Sequence, residues 1–144
     1  MPGSHARELV DRWLQSDGRD GAVLELWCAL TSVPGFERSR PDYGLPAFAF
    51  AYVEVASWLG ASLQSGAWTY YEAASTERQL ALIGALAEVG SRAVRNAYRE
   101  GADRGAVEDA HDDLDQWVDA NRKRLDRWLL ALLRRHRSGL DELL

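Results

Sequence analysis

The segment from Pro46 to Gly66 constrains the fold more than any other part of the sequence. Its large apolar residues recur at helical spacing, and alanines fill many of the positions between them. This pattern predicts a helix that is apolar on nearly all sides, and such a helix must be surrounded by other elements. We therefore expect it to be the central, most buried helix of the protein.

The remaining segments are predicted to form the helices that surround it. Apolar residues at spacings of three and four predict helices over about residues 4–18, 20–34, 76–101, 106–119 and 122–136. Thr76 and Gln79 have the spacing of a capping box, and the aromatic stretch 65–75 is either a connection or a short helix. Strand patterns are almost absent. The sequence therefore predicts an all-α, single-domain helical bundle of about five to seven helices.

The length of 144 residues favours one domain, covering residues 1–144. Residues 1–5 are expected to be disordered or foreign to the domain, because Gly-Ser-His is a common cloning remnant. The longest apolar stretch ends at Glu54 and is shorter than the roughly 20 residues of a membrane span. Cys28 is the only cysteine, so no internal disulfide is expected. We expect a soluble, cytoplasmic protein without a membrane contact.

Signatures of catalysis and of metal binding are not found. His5, His111 and His136 lie in separate segments, and we expect His111 on the surface. Phosphate-binding glycine loops and a Gly-x-Ser-x-Gly elbow are missing. Cys28 lies among apolar neighbours, as a buried, unreactive thiol does. The sequence predicts no enzyme, no metal and no cofactor.

Charge is distributed unevenly along the chain. Residues 99–119 contain eight acidic and two basic residues, whereas residues 120–144 contain three acidic and seven basic ones. Helical spacing places Asp112, Asp115 and Asp119 on one face, with Glu108 one turn earlier and Asp113 beside them. This acidic stripe is either a solvated helix face or a docking surface for a basic protein. The basic C-terminal helix is expected to pair with the stripe, within the chain or across a dimer.

Aromatic residues provide a second candidate contact surface. Five of the six tryptophans lie on apolar helical stripes, where core packing is the ordinary role. Trp68 is the exception, and it is followed closely by Tyr70 and Tyr71. Together with the loop residues Phe36 and Tyr43, these three residues are candidate contacts for a partner or a second copy, and local packing explains them equally well.

Several short motifs resemble those of a known family. They are Ser65–Tyr71, Ile83–Leu86, Val89–Ser91 and Asp112–Asp115, and their order is similar to that in the DNA mimic protein 19 family. The resemblance covers about residues 64–144. Ser65 and Ala67 replace the asparagine and second glycine of the family pattern.

This resemblance implies a small, all-helical bacterial protein that is often dimeric. The best-known member of the family presents acidic side chains in place of DNA phosphates and occupies a DNA-binding regulator. Carried over to this chain, Asp112, Asp113 and Asp115 become candidate contact residues.

Three functional hypotheses follow. The first is a non-enzymatic interaction protein whose acidic face binds a DNA-binding regulator or neutralises a toxin. The second is a small-ligand-binding or catalytic domain with a pocket near the Trp68–Tyr71 segment. The third is a structural homodimer subunit. Direct nucleic-acid binding is not expected, because the sequence is acidic, with a pI of about 5.2.

Overall fold

The computed structural model describes residues 2–16 and 21–144, with side chains from His5 onward. Within these residues all regular secondary structure is helical, as predicted, but there are nine α-helices and one 3-10 turn rather than five to seven helices. The α-helices are α1 (Pro2–Gln15), α2 (Ala22–Leu30), α3 (Ala47–Ser65), α4 (Ala67–Ala73), α5 (Thr76–Glu88), α6 (Arg92–Arg104), α7 (Asp112–Ala120), α8 (Arg122–Arg135) and α9 (Arg137–Leu143). The 3-10 turn is Glu108–His111.

The helix α3 lies at the centre of the bundle, as its apolar pattern predicts. It packs against α2, α4, α5, α7 and α8, whereas α1 covers α2 and α8 from outside. Tyr52, Val55 and Trp58 of α3 are fully buried. A helix enclosed on so many sides has no solvent-facing stripe along most of its length, which explains why the sequence between Pro46 and Gly60 is so uniformly apolar.

The long helix predicted over residues 76–101 is two helices, and that prediction is wrong. Gly90 has a φ of 83°, a left-handed conformation that ends α5 and turns the chain into α6. The helix also begins one residue earlier than the capping box indicates. Ser75 is the N-cap, and its hydroxyl accepts a hydrogen bond of 3.1 Å from the amide of Arg78.

The other differences concern the helix ends. In place of the helix predicted over residues 106–119, the structure has the 3-10 turn Glu108–His111 followed by α7, and α9 extends the helical structure beyond His136. The first helix begins at Pro2, two residues before the predicted start. The predicted end of this helix near residue 18 and the predicted start of the next helix at residue 20 lie outside the described residues. Of the helices in the described ranges, none combines the length and apolarity needed to cross a bilayer.

Candidate functional site

A pocket of about 310 Å³ lies where α2, α3, α4 and α5 meet the loop 31–46. Its walls are mostly apolar, with the aromatic side chains Trp27, Phe36, Tyr43 and Tyr70. Its charged residues are Arg38, Glu54 and Arg78. Apolar walls with a few convergent polar groups are the usual composition of a ligand site. We call this cavity the Glu54 pocket.

Glu54 is the only charged residue of α3 and is 2% exposed. The Tyr43 hydroxyl donates to its carboxyl group, at 2.9 Å from Oε1 and 3.3 Å from Oε2. The Arg78 Nε atom lies 3.8 Å from Oε2. Burial raises the pKa of Glu54 above its ordinary value, and the hydrogen bond from Tyr43 and the charge of Arg78 oppose this rise.

The loop that covers the pocket is held in place by Arg78. Its Nη2 atom donates to the carbonyl oxygens of Arg38 at 2.9 Å and of Arg40 at 3.1 Å. Its guanidinium group also lies 4.3 Å from the centre of the Tyr43 ring, a cation–π contact. Tyr43 itself has a φ of 57°, the left-handed conformation that non-glycine residues seldom adopt. The tyrosine that bonds Glu54 is therefore positioned at some conformational cost.

Behind the pocket, three tyrosines form a buried hydrogen-bonded cluster. The hydroxyl oxygens of Tyr70 and Tyr98 are 2.7 Å apart, and the Tyr71 hydroxyl donates to the Tyr98 carbonyl oxygen at 2.8 Å. Desolvation raises the pKa of all three, so they stay protonated at neutral pH. The hydroxyl of Tyr70 also lies near Glu54 and lowers the pKa of that carboxyl group.

The burial of Tyr70 and Tyr71 corrects their prediction as surface contacts. They are 6% and 4% exposed, because α6 and the 3-10 turn cover the inner face of α4. Trp68 is half-buried beside Gly66 at the junction of α3 and α4, and it does not line the Glu54 pocket. The structure therefore separates Trp68 from the aromatic residues of the pocket.

Two members of the acidic stripe are used within the fold. Asp115 is half-buried, and its Oδ1 atom accepts a hydrogen bond of 2.8 Å from the amide of Ala67, the first residue of α4. Asp113 forms a two-pronged ion pair with Arg104, in which Nη2 lies 3.0 Å from Oδ2. The hydrogen bonds and charge of Arg104 lower the pKa of Asp113.

Glu108, Asp112 and Asp119 are exposed and form no ion pair with any residue in the described part of the chain. The expected pairing of the stripe with the basic C-terminal helix within the chain is wrong. Arg134 donates to the carbonyl oxygen of Leu14, and Arg137 pairs with Asp11 and Asp141. Arg134 of α8 and Arg137 of α9 both contact α1, the helix against which α8 packs.

Two further residues differ from their predicted environments. His111 is fully buried rather than on the surface, with Nε2 2.6 Å from the carbonyl oxygen of Gly105 and its ring stacked on Tyr71. Cys28 is exposed rather than buried, because it lies on the outer face of α2. Within residues 2–16 and 21–144, no three side chains of the metal-binding types lie close enough together to hold an ion.

Sequence reasoning missed Glu54 as a site residue, although a signal was present. It is the single charged residue in a helix that is apolar on nearly all sides. Such a residue is buried by the same packing that buries its neighbours, so it marks a polar centre inside the bundle. Its partners Tyr43 and Arg78 belong to a loop and to α5, and no local spacing connects them to it.

Comparison of the chain with protein-family models, curated proteins and solved structures gave no match.

Proposed function

We propose that the protein is a non-enzymatic binding protein that takes a small ligand into the Glu54 pocket. The observation that carries this proposal is Glu54 itself, a carboxyl group 2% exposed in the wall of a cavity of about 310 Å³. Burying an ionisable group costs free energy that an apolar side chain at the same position would not. Ionisable groups with a perturbed pKa in a pocket are concentrated at functional sites.

The pocket is also organised before any ligand arrives. Tyr43 is held in a left-handed conformation, and Arg78 ties the covering loop to α5 through carbonyl oxygens of that loop. Such preorganisation lowers the entropic cost of binding, because the walls need not be ordered by the ligand. It would be a costly arrangement for a surface without a role.

Binding is favoured over catalysis by the state of the ionisable groups. Both oxygens of Glu54 already accept a hydrogen bond from Tyr43, and the pocket lining contains neither histidine nor cysteine. A general base or nucleophile needs a free position from which to reach the reacting atom. The lining therefore provides recognition groups and no nucleophile–base pair.

The proposal is tested with three probes of one shape and different charge: indole-3-acetate, tryptamine and tryptophol. We expect at least one of them to shift the backbone amide resonances of the pocket residues in titrations followed by NMR. Ala73→Trp, which fills the pocket from an exposed wall position, should abolish the shifts. The matched variant Ala87→Trp, on the exposed face of α5 away from the pocket, should keep them. Shifts that are absent, or that survive Ala73→Trp, would contradict the proposal.

A second candidate function is protein binding through the acidic stripe. It is supported by the exposure of Glu108, Asp112 and Asp119 without ion-pair partners in the described residues, and by the resemblance to the DNA mimic protein 19 family. Its partner would be a basic protein, such as a DNA-binding regulator or a toxin.

This second candidate is tested by capture from native cell extract. The variant that combines Glu108→Gln, Asp112→Asn and Asp119→Asn leaves the internal contacts of Asp113 and Asp115 intact. Loss of a basic partner from this variant, with an unchanged circular dichroism spectrum, supports the acidic surface. If the wild type and the variant capture the same proteins, these three side chains are solvated and do not bind a partner.

A further inference from the structure

We infer that the ligand of the Glu54 pocket is a small aromatic acid, whose ring packs between the aromatic walls and whose carboxylate faces Arg38 and Arg78. This inference rests on the proposed function of the pocket and adds the chemical class of its ligand. It is carried by three features: the balance of charge in the lining, the internal partners of Glu54, and the shape and polarity of the walls.

The lining contains two guanidinium groups and one carboxyl group. The carboxyl group offers little free negative charge to a ligand, because the Tyr43 hydroxyl lies within 3.3 Å of both its oxygens and Arg78 lies 3.8 Å from one of them. A positive ligand would therefore compete with Arg78 for a carboxylate that is already satisfied. The groups left to interact with a ligand are predominantly positive, which favours an anion.

The two arginines of the lining differ in how many of their guanidinium groups' donors are already bonded within the protein. Arg78 uses Nε and Nη2 for carbonyl oxygens of the loop, and its Nη1 forms no hydrogen bond with any part of the chain that the structure describes. Arg38 is exposed at the pocket, and its side chain makes no ion pair among the described residues. Guanidinium groups bind carboxylates through strong, charge-assisted hydrogen bonds. Arg38 is therefore the principal determinant of ligand charge.

The walls specify the rest of the ligand. Trp27 donates its indole N–H to the Ser57 hydroxyl at 3.0 Å, and Ser57 donates to the carbonyl oxygen of Val53 at 2.9 Å. The polar atoms on this side are thus satisfied, so the part of the ligand that contacts them is apolar. The rings of Phe36 and Tyr43, 4.9 Å apart, provide an aromatic surface on the loop side. A volume near 310 Å³ is at the lower end for ligand pockets and fits one or two rings.

The experiment compares affinities of the intact protein for indole-3-acetate, tryptamine and tryptophol by isothermal titration calorimetry at neutral pH. We expect indole-3-acetate to bind about tenfold more tightly than tryptophol, and tryptamine to bind most weakly. Arg38→Gln should weaken indole-3-acetate binding by about tenfold and leave tryptophol binding nearly unchanged. Arg40→Gln is the matched control, since Arg40 is an exposed residue of the same loop that does not line the pocket.

The possible results separate this inference from the proposed function. If tryptamine or tryptophol binds in the pocket at least as tightly as indole-3-acetate, the ligand class is wrong although the pocket binds ligands. If Arg40→Gln weakens indole-3-acetate binding as much as Arg38→Gln, the effect is a general one of loop charge and the inference also fails. If none of the three compounds perturbs the pocket residues, both the inference and the proposed function are overturned.

Discussion

The Glu54 pocket and the acidic stripe place carboxyl groups in opposite environments. In the pocket, one carboxyl group is 2% exposed, bonded to a tyrosine and close to an arginine. In the stripe, Glu108, Asp112 and Asp119 are surrounded by water. Water and dissolved salt screen these exposed charges from one another. The same chemical group thus meets two different physical conditions in the two regions, because packing buries one carboxyl group and leaves the others in contact with solvent.

The two regions also differ in how closely they pack against neighbouring helices. The tyrosine cluster behind the pocket packs tightly, since Tyr71 lies directly against Gly101 of α6. Among the described residues, the stripe bonds other elements at two points, where Asp115 bonds the start of α4 and Asp113 pairs with Arg104. We therefore expect substitutions near the pocket to have large effects and most substitutions in the stripe to have small ones.

The largest effect is expected for Gly101→Ala. A Cβ atom at this position would overlap the Tyr71 ring, and relieving such overpacking typically costs about 1–3 kcal/mol of unfolding free energy. Gly84→Ala is the control, because Gly84 is also helical but a Cβ atom there would meet nothing within 4 Å. The control should gain about 0.5–1 kcal/mol through helix propensity. Urea unfolding of both variants measures the difference, and equal stabilities would show that the cluster is loosely packed.

The next largest effect is expected in the pH dependence of the free energy of unfolding, to which the protonation of Glu54 contributes. Because burial raises the pKa of this group above 4.5, the folded protein holds the proton more tightly than the unfolded chain. Its contribution to stability is complete below pH 4.5 and is lost as the pH rises through the raised pKa. The glutamine in Glu54→Gln does not titrate, so this variant should not lose that contribution to stability as the pH rises. Urea unfolding of both proteins from pH 4 to 8 measures it, and a constant difference across this range would contradict a perturbed Glu54.

Asp115→Ala should have a smaller effect, at the point where the stripe contributes to the fold. The substitution leaves the buried amide of Ala67 without its acceptor, which costs about 1–2 kcal/mol. Asp119→Ala, an exposed position on the same helix, should change stability by about 0.5 kcal/mol or less. Thermal unfolding monitored by circular dichroism compares them. If both substitutions cost the same, the Asp115 contact has no structural importance.

The smallest effect is expected for Asp113→Asn, because the side chain of Asp113 is 72% exposed. Arg104 lowers the pKa of this carboxyl group, so the stability that the pair provides is present at neutral pH and is lost as the pH falls through that lowered value. The difference between wild type and variant should also disappear in 1 M salt, where the Debye length is about 3 Å. Unfolding curves at low and high salt measure this, and a salt-independent difference would contradict an exposed ion pair.

The helices were largely predictable because their determinants are local. The position of α3 follows from its apolar pattern. The predicted helix over residues 76–101 was wrong because periodicity continues across Gly90, where one left-handed residue divides it. Periodicity indicates which residues face a core, but it does not show where the chain turns between two helices.

The candidate site was only partly predictable. A pocket near the Trp68–Tyr71 segment was one hypothesis, and Tyr70 does line the Glu54 pocket. Tyr71 and Trp68 follow the same aromatic pattern, yet one lies in the core and the other lies half-buried at a helix junction. Which of them is covered depends on α6 and the 3-10 turn, which are distant in sequence.

The sequence by itself determined the helical class, the central position of α3 and the separation of acidic from basic segments. These properties depend on composition and on spacing along one helix. Only the tertiary structure decided which ionisable groups leave water and what they meet there. Glu54, Tyr43 and Arg78 come together because three separate elements pack against one another. The pKa of a carboxyl group depends on those neighbours, and no local pattern specifies them.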